Sequence, residues 1–291
     1  MGQPTYVLDD LQDGEGFLQV RYRPHQAAAD VAFLAPSLGH SAKASGTWSS
    51  LLEGASIQAA GRGIQRVFAN LPESTAEVEA FCQVGFTPYA GEDIYRLDQA
   101  LTADSREGQG QVRVQRPEDW PAVQKLCVAV TPQRVRQMEG GIAVAMGRAR
   151  IGRRYVLPGE NGEDLVAALD VVRGTQAHWL RMVVHPDARQ QAEILVRQGV
   201  VVLGDRASKP VYCNVRQYES GVRTALTAAG FEPFSTRTLM VKHTVAWSKA
   251  SLQELVPALK GGAEPVPPTY SINGEPDYQT TNGRLAAERD A

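Results

Sequence analysis

Apolar and polar positions change period twice between Val67 and Leu97, VFANLPESTAEVEAFCQVGFTPYAGEDIYRL, and again between Tyr212 and Val241, YCNVRQYESGVRTALTAAGFEPFSTRTLMV. Each stretch opens as an apolar strand that ends on an Asn, Asn70 or Asn214. A helical run follows and closes on Gly-Phe, at Gly85-Phe86 or Gly230-Phe231, with Pro88 or Pro233 two residues beyond. Asn to Phe spans 16 residues in one copy and 17 in the other. A unit that recurs in this order predicts two versions of one domain.

The remaining pattern fills in around the repeat. Strands are expected over Tyr6–Asp9, Phe17–Arg23 and Ala29–Ala35, with turns at Gly14–Gly16 and Pro24–Gln26. After the small-residue loop Pro36–Gly46, the spacing predicts a helix over Thr47–Ala60 with Thr47 as its N-cap. Strand Ile64–Asn70, helix Ser74–Val84 and strand Tyr89–Leu97 complete the first unit. In that helix Val78, Phe81 and Cys82 are expected on one side. The second unit starts with strand Val112–Gln115 and helices Pro117–Val130 and Pro132–Glu139. Strands Arg153–Leu157 and Asp164–Val172 flank Asn161-Gly162, a strong hairpin turn. Then come strand Ala177–Val184, helix Asp187–Val200, strand Val211–Asn214, helix Glu219–Ala229 and strand Thr236–Val245. Domains are expected over 1–100 and 112–250, joined by a polar linker at 101–111 and followed by a mobile tail over 251–291.

Composition narrows the function classes. With 291 residues the chain can hold two domains, each with its own core. No apolar run reaches the length of a membrane-spanning helix. The acidic N-terminus lacks a basic-then-apolar signal, which points to the cytoplasm and not to a membrane. Cys82, Cys127 and Cys213 form no Cys-x-x-Cys pair and read as small buried residues in a reducing compartment. The five histidines have no metal-ligand spacing, so no metal is expected. The overall charge of −2 conceals a division: residues 1–103 carry a net of −6, residues 104–250 a net of +7 and residues 251–291 a net of −3. The basic second unit favours an anionic ligand, or else docks on the acidic first unit. Arg148, Arg150, Arg153 and Arg154 lack interleaved aromatics, so a nucleic-acid partner ranks last.

The element order over 112–245, with Asn214 and Gly230-Phe231 in place, resembles the GNAT acyltransferase superfamily. Residues 6–97 resemble a shortened copy that begins at the family's second strand, so the whole resembles a tandem GNAT protein. The implied fold class is α/β (α+β mixed sheet), two tandem GNAT-like domains, each a central mixed sheet flanked by helices. The resemblance further implies acetyl-CoA as co-substrate, held where the fourth and fifth strands splay, with its pyrophosphate on backbone N–H groups at the next helix start. The implied partner is a small-molecule or protein amine.

On that resemblance the cofactor-binding residues are Val183 and Val184 at the fourth-strand end, Arg189, Gln190 and Ala192 in the loop, and Asn214. The loop departs from the family's pattern of Arg or Gln, two residues, Gly, one residue, Gly or Ala. Ala192 replaces the first Gly, and Ile194 replaces the second small residue. In the first unit, Gly39 and Gly46 flank Lys43 at a spacing that fits neither this loop nor a Walker loop. A family Tyr that protonates the leaving thiolate is replaced by Phe81 and Leu226. Tyr218 and Tyr212 are possible substitutes, and Asp170 or His178 is a possible general base. Two functions stay open. One is an acyl-CoA-dependent N-acyltransferase with the cofactor in the second unit and the first unit as scaffold or lid. The other is a catalytically degenerate module that binds a ligand or protein.

Overall fold

Both Gly-Phe corners end a helix by the same backbone device. Gly85 and Gly230 adopt φ of +86° and +79°, a left-handed conformation that glycine enters without strain. The N–H of the following Phe then reaches back to a carbonyl of the last turn, Phe86 to Phe81 O at 3.0 Å and Phe231 to Leu226 O at 2.9 Å. This is a Schellman cap. Phe81 and Phe86 also pack edge to face at 4.9 Å, which seals the first corner with a buried aromatic pair.

The computed structural model describes residues 4–98, 111–139, 152–159, 162, 164–203 and 209–244, with short breaks at 11–13, 24–25, 41–42 and 74. The expected tail over 251–291 and nearly all of the expected linker over 101–111 lie outside the described residues. So do Arg148 and Arg150. The first half contains β1 (Thr5–Asp10), β2 (Gly14–Tyr22), β3 (Ala28–Ala35), α1 (Ala44–Gly61), β4 (Arg66–Pro72), α2 (Thr75–Gln83) and β5 (Thr87–Leu97). The second contains β6 (Arg113–Val114), α3 (Trp120–Val130), α4 (Gln133–Glu139), β7 (Arg153–Pro158), β8 (Leu165–Arg173), β9 (His178–Val184), α5 (Ala192–Leu203), β10 (Val211–Arg216), α6 (Ser220–Ala228) and β11 (Glu232–His243).

Three expectations need correction. Thr47 does not cap α1: the helix begins at Ala44, and Thr47 is buried with its hydroxyl donating to Lys43 O at 3.2 Å. The helix expected over Asp187–Val200 is broken. Residues Pro186–Gln191 form a 3-10 turn with Ala188 at φ −111°, and regular helix starts only at Ala192. Cys82 is exposed on the outer side of α2, unlike buried Cys127 and Cys213.

The described strands form one sheet of eleven, ordered β1-β2-β3-β4-β11-β5-β10-β9-β8-β7-β6. The halves therefore share a sheet, and their last strands are exchanged. β5 pairs with β10 and β11, both from the second half. β11 pairs with β4 and β5, both from the first half. One face of the sheet is covered by α1 and α2, through Trp48, Leu52 and Phe81 against Val67, Ala69 and Met240. On the same face α5 and α6 bring Leu195 and Leu226 against Cys213, Val215 and Tyr95. The opposite face carries α3 through Leu126 and Cys127 against Val156 and Val183, and α4 through Met138 against Phe68 and Val241. The first half has no helices of its own there, and Phe17 and Phe33 stack in the open at 5.4 Å.

Candidate functional site

Each half contains one parallel strand pair, and each pair comes apart. β9 and β10 are paired from His178↔Val211 to Arg181↔Asn214, yet β9 continues to Val184 and β10 to Arg216. β3 and β4 are paired only from Ala28↔Arg66 to Asp30↔Phe68, while β3 continues to Ala35 and β4 to Pro72. Parted strands leave main-chain groups that a ladder would have used, and these must be met by a side chain, water or an extended polar ligand.

The second-half notch is already filled. From Arg181 the Nη1 nitrogen donates to Met182 O at 3.0 Å and to Asn214 O at 3.2 Å, bridging the strands where they part. Nη1 and Nη2 also grip the Glu219 carboxylate at 2.6 and 2.7 Å. Glu219 takes a further donor, the Arg216 N–H, at 2.9 Å and is almost wholly buried. Burial opposes the charge on Arg181, but the Glu219 carboxylate outweighs it and holds the guanidinium charged. Asn214 donates to Glu92 Oε2 at 3.0 Å, and its own Oδ1 is buried without a donor.

Among the described residues, no side chain bridges the strands of the first-half notch in this way. Continuing the β3–β4 register sets Ala32 level with Asn70, the position that Arg181 holds opposite Asn214. Ala32 and Asn70 are both exposed. The loop after β3 is anchored by Trp48, whose indole N–H donates to Pro36 O at 2.7 Å. Gly16 lets β2 approach this loop, since a Cβ there would lie 2.5 Å from the Thr47 methyl and 2.6 Å from Ala35 O. Aligned on the first helical residue, Ala44 of α1 stands with Ala192 of α5, and Gly46 with Ile194. The first turn of α1 thus keeps small residues, and its N-cap Lys43 supplies no side-chain acceptor to the free N–H groups.

Between the notches, on the α3 and α4 face, lies a polar centre. Glu92 Oε2 accepts from both repeat asparagines, Asn214 at 3.0 Å and Asn70 at 3.4 Å. Arg216 approaches Glu92 Oε1 at 3.4 Å and donates to Glu139 at 3.0 Å. Tyr89 donates to the same Glu139 oxygen at 3.0 Å, and burial together with that carboxylate raises its phenol pKa. Sequence reasoning did not single out Glu92, Glu139 or Arg181. Their only sequence signal is a charge inside or beside an apolar run.

The expected site residues are scattered across this geometry. Val183, Val184 and Ala192 are buried core residues: Val183 lies under α3, Val184 is in the α5 cluster, and Ala192 opens α5 itself. Arg189 and Gln190 are exposed, and the Arg189 stem lies over Gly221 at the start of α6. Asp170 is buried in a two-pronged contact with Arg154, at 2.5 and 3.1 Å. Burial raises its carboxyl pKa while Arg154 opposes the rise. His178 is buried at the opposite end of β9, roughly 10 Å before the last paired residue, Arg181. It does not meet Asp170 or Tyr218 at one point. Tyr218 is half-buried, and burial, reinforced by Glu219, lifts its phenol to about 12. Tyr212 lies at the other end of β10, stacked on Trp179 at 4.9 Å. Among the described residues no group of His, Cys, Asp and Glu is placed to hold a metal ion.

Comparison with solved structures identifies the architecture. A GCN5-related N-acetyltransferase from Sphaerobacter thermophilus superposes with a TM-score of 0.56 at 16% identity, covering 84% of this chain and 81% of that one. A tandem GNAT protein from the clavulanic acid biosynthesis pathway gives 0.54 at 14% identity, with 83% and 82% covered. A conserved protein of unknown function from Staphylococcus epidermidis gives 0.54 at 10% identity, with 84% and 96% covered. No protein-family model matches the sequence, and no curated protein matches it. The chain has the GNAT fold, and its described strands form a single sheet.

Proposed function

We propose that the protein is an acyl-CoA-dependent N-acyltransferase whose thioester site is the first-half notch. The observation that carries this reading is the contrast between exposed Ala32 and Arg181, which bridges the equivalent strands and closes the second notch. The residues of the first notch fit acetyl-CoA. Gly46 is exposed in the first turn of α1, whose opening N–H groups suit a diphosphate, and Asn70 stands at the edge of the parted strands. The second half does not fit, so its expected cofactor residues, Arg189, Gln190, Ala192 and Asn214 among them, are reassigned to structure.

Acetyl-CoA supplies an activated acyl carbon. The amine nitrogen forms the amide bond, the carbon–sulfur bond breaks, CoA leaves as the thiol and the amine loses a proton. The chain's own part is to bind, orient and exclude water. Neither repeat offers an acid at the corner position, because Phe81 and Leu226 are buried apolar residues that complete the helix caps. That observation also favours the second reading, a GNAT-fold binding module without catalysis. Free Cys82, Cys127 and Cys213 accord with a reducing, cytoplasmic setting.

Titrating acetyl-CoA while following the melting temperature separates these readings from a chain that has lost the ligand. A ligand present at 100 times its Kd stabilises the folded state by about 2.7 kcal/mol. The expected result is a rise for the natural chain and none for Gly46→Val, which puts a branched side chain where the diphosphate would approach the backbone. A rise that survives Gly46→Val rejects the first notch. Binding without release of CoA thiol across an amine panel favours the module.

A further inference from the structure

Arg237 sits near the middle of the eleven-stranded sheet, and among the described residues it has no ion-pair partner. It occupies β11, opposite Pro72 of β4 on one side and Glu92 of β5 on the other. Both Glu92 and Arg237 lie six residues beyond the corner Phe of their half, so they are equivalent positions of the repeat. Glu92 would be the natural counter-ion, but its oxygens are engaged by Asn70, Asn214 and Arg216. Three other arginines on this face are tied to carboxylates: Arg154 to Asp170, Arg181 to Glu219, and Arg216 to Glu92 and Glu139. Arg66 instead donates to main-chain carbonyls of α4, and Arg136 on α4 also has a buried Nε without an acceptor among the described residues. Arg237 is half-buried, and its Nε is shut off from solvent with no acceptor. A buried N–H without an acceptor is costly, and the planar guanidinium fork matches a carboxylate.

The position selects which anion. Arg237 shares a face with Asn70, Glu92 and Arg216, the face of α3 and α4. The α1 helix start, proposed above to hold the CoA diphosphate, belongs to the helix layer on the opposite face. A phosphate bound there does not reach Arg237. An amine approaching the first notch from the α4 side does. Along β4, Pro72 beside Arg237 is two positions from Asn70, roughly 7 Å. A carboxylate held by Arg237 therefore suits an acceptor whose amine is a few bonds away.

We propose that Arg237 binds the carboxylate of the acyl acceptor, and that the acceptor is an amino acid. This rests on the first-notch reading of acyl transfer. The probes are the common L-amino acids and their decarboxylated amines, offered with acetyl-CoA to the full chain while CoA thiol release is followed. Natural protein is expected to use the best amino acid at least about tenfold better than its matched amine. Arg237→Gln is expected to raise the KM for that amino acid by about 30-fold or more with little change in kcat, and to leave the matched amine unaffected. Arg237→Lys restores part of the loss. A preference for the decarboxylated amines, or an equal loss on both sets in Arg237→Gln, overturns the proposal while leaving acyl transfer intact. If neither set is acylated, the transferase reading fails separately, and the same amino acids are titrated calorimetrically into both proteins. Heat with the natural chain alone supports a carboxylate site; heat with neither, or equally with both, overturns it.

Discussion

Arg181 and Ala32 hold equivalent places in two parted strand pairs, and Arg181 bridges its pair where the Ala32 methyl offers no donor. Arg181 satisfies two main-chain carbonyls and a nearly buried carboxylate at once. Removing it alone leaves Glu219 charged and buried. Arg181→Met should cost about 3–5 kcal/mol, read from urea unfolding. Converting Glu219 as well, in Arg181→Met/Glu219→Gln, should return most of that loss, because the amide oxygen still accepts the Arg216 N–H. A small effect of Arg181→Met would mean that the contact contributes little to closing the strands. None of this was legible in the sequence. Beyond neighbouring Met182, the partners of Arg181 are 33 and 38 residues away, and a charged residue inside a strand announces neither. The surroundings of Asp170 and His178 were hidden from the sequence for the complementary reason. Each is a titratable group in an apolar run, but one is matched by Arg154 and the other lies at the wrong strand end.

At the scale of elements, short-range signals carried well. The Schellman corners were legible because Gly, Phe and the preceding helix residue act within six positions. The start of α5 was not, since Pro186 and the His185 ring, which accepts the Asp187 N–H at 3.3 Å, hold a tighter turn than the spacing implied. The entry to α3 offers a local test. Asp119 accepts two hydrogen bonds from Arg113, at 2.6 and 2.7 Å, and one from the Arg116 N–H. The Arg113 hydrogen bond holds its carboxyl down from 3.8 to about 2, against a smaller opposing effect of burial. A carboxyl with a lowered folded-state pKa adds stability above its unfolded value and loses it as pH falls through the folded value. Unfolding free energy should therefore decline between pH 4 and about 2, and Asp119→Asn should flatten that part of the profile. An unchanged slope in the variant would assign the acid sensitivity to other carboxylates.

At the scale of the molecule, the exchange of last strands makes the two repeats one folding unit. Every ladder of β5 and of β11 crosses from one half to the other: seven residue pairs to β4, nine between β5 and β11, and six to β10. The polar centre follows the same rule, because Glu92 from the first half is bonded by Asn214 and Arg216 from the second. Repeat detection finds the units but not this exchange, since the same pattern of strands fits two separate sheets equally well. A half released from its partner would expose the edge of β4 or of β10 and leave its last strand unpaired, an arrangement prone to association with other edges. A protease site inserted between residues 101 and 110 tests the point. After cleavage the two fragments should still elute together in native buffer, separate in denaturant and unfold in one transition that both report. Residues 1–98 expressed alone should be insoluble or unfolded, and recover when mixed with the second half during refolding. Fragments that part in native buffer, each with an intact circular dichroism spectrum, would show that the halves are independent domains and that their shared sheet is dispensable.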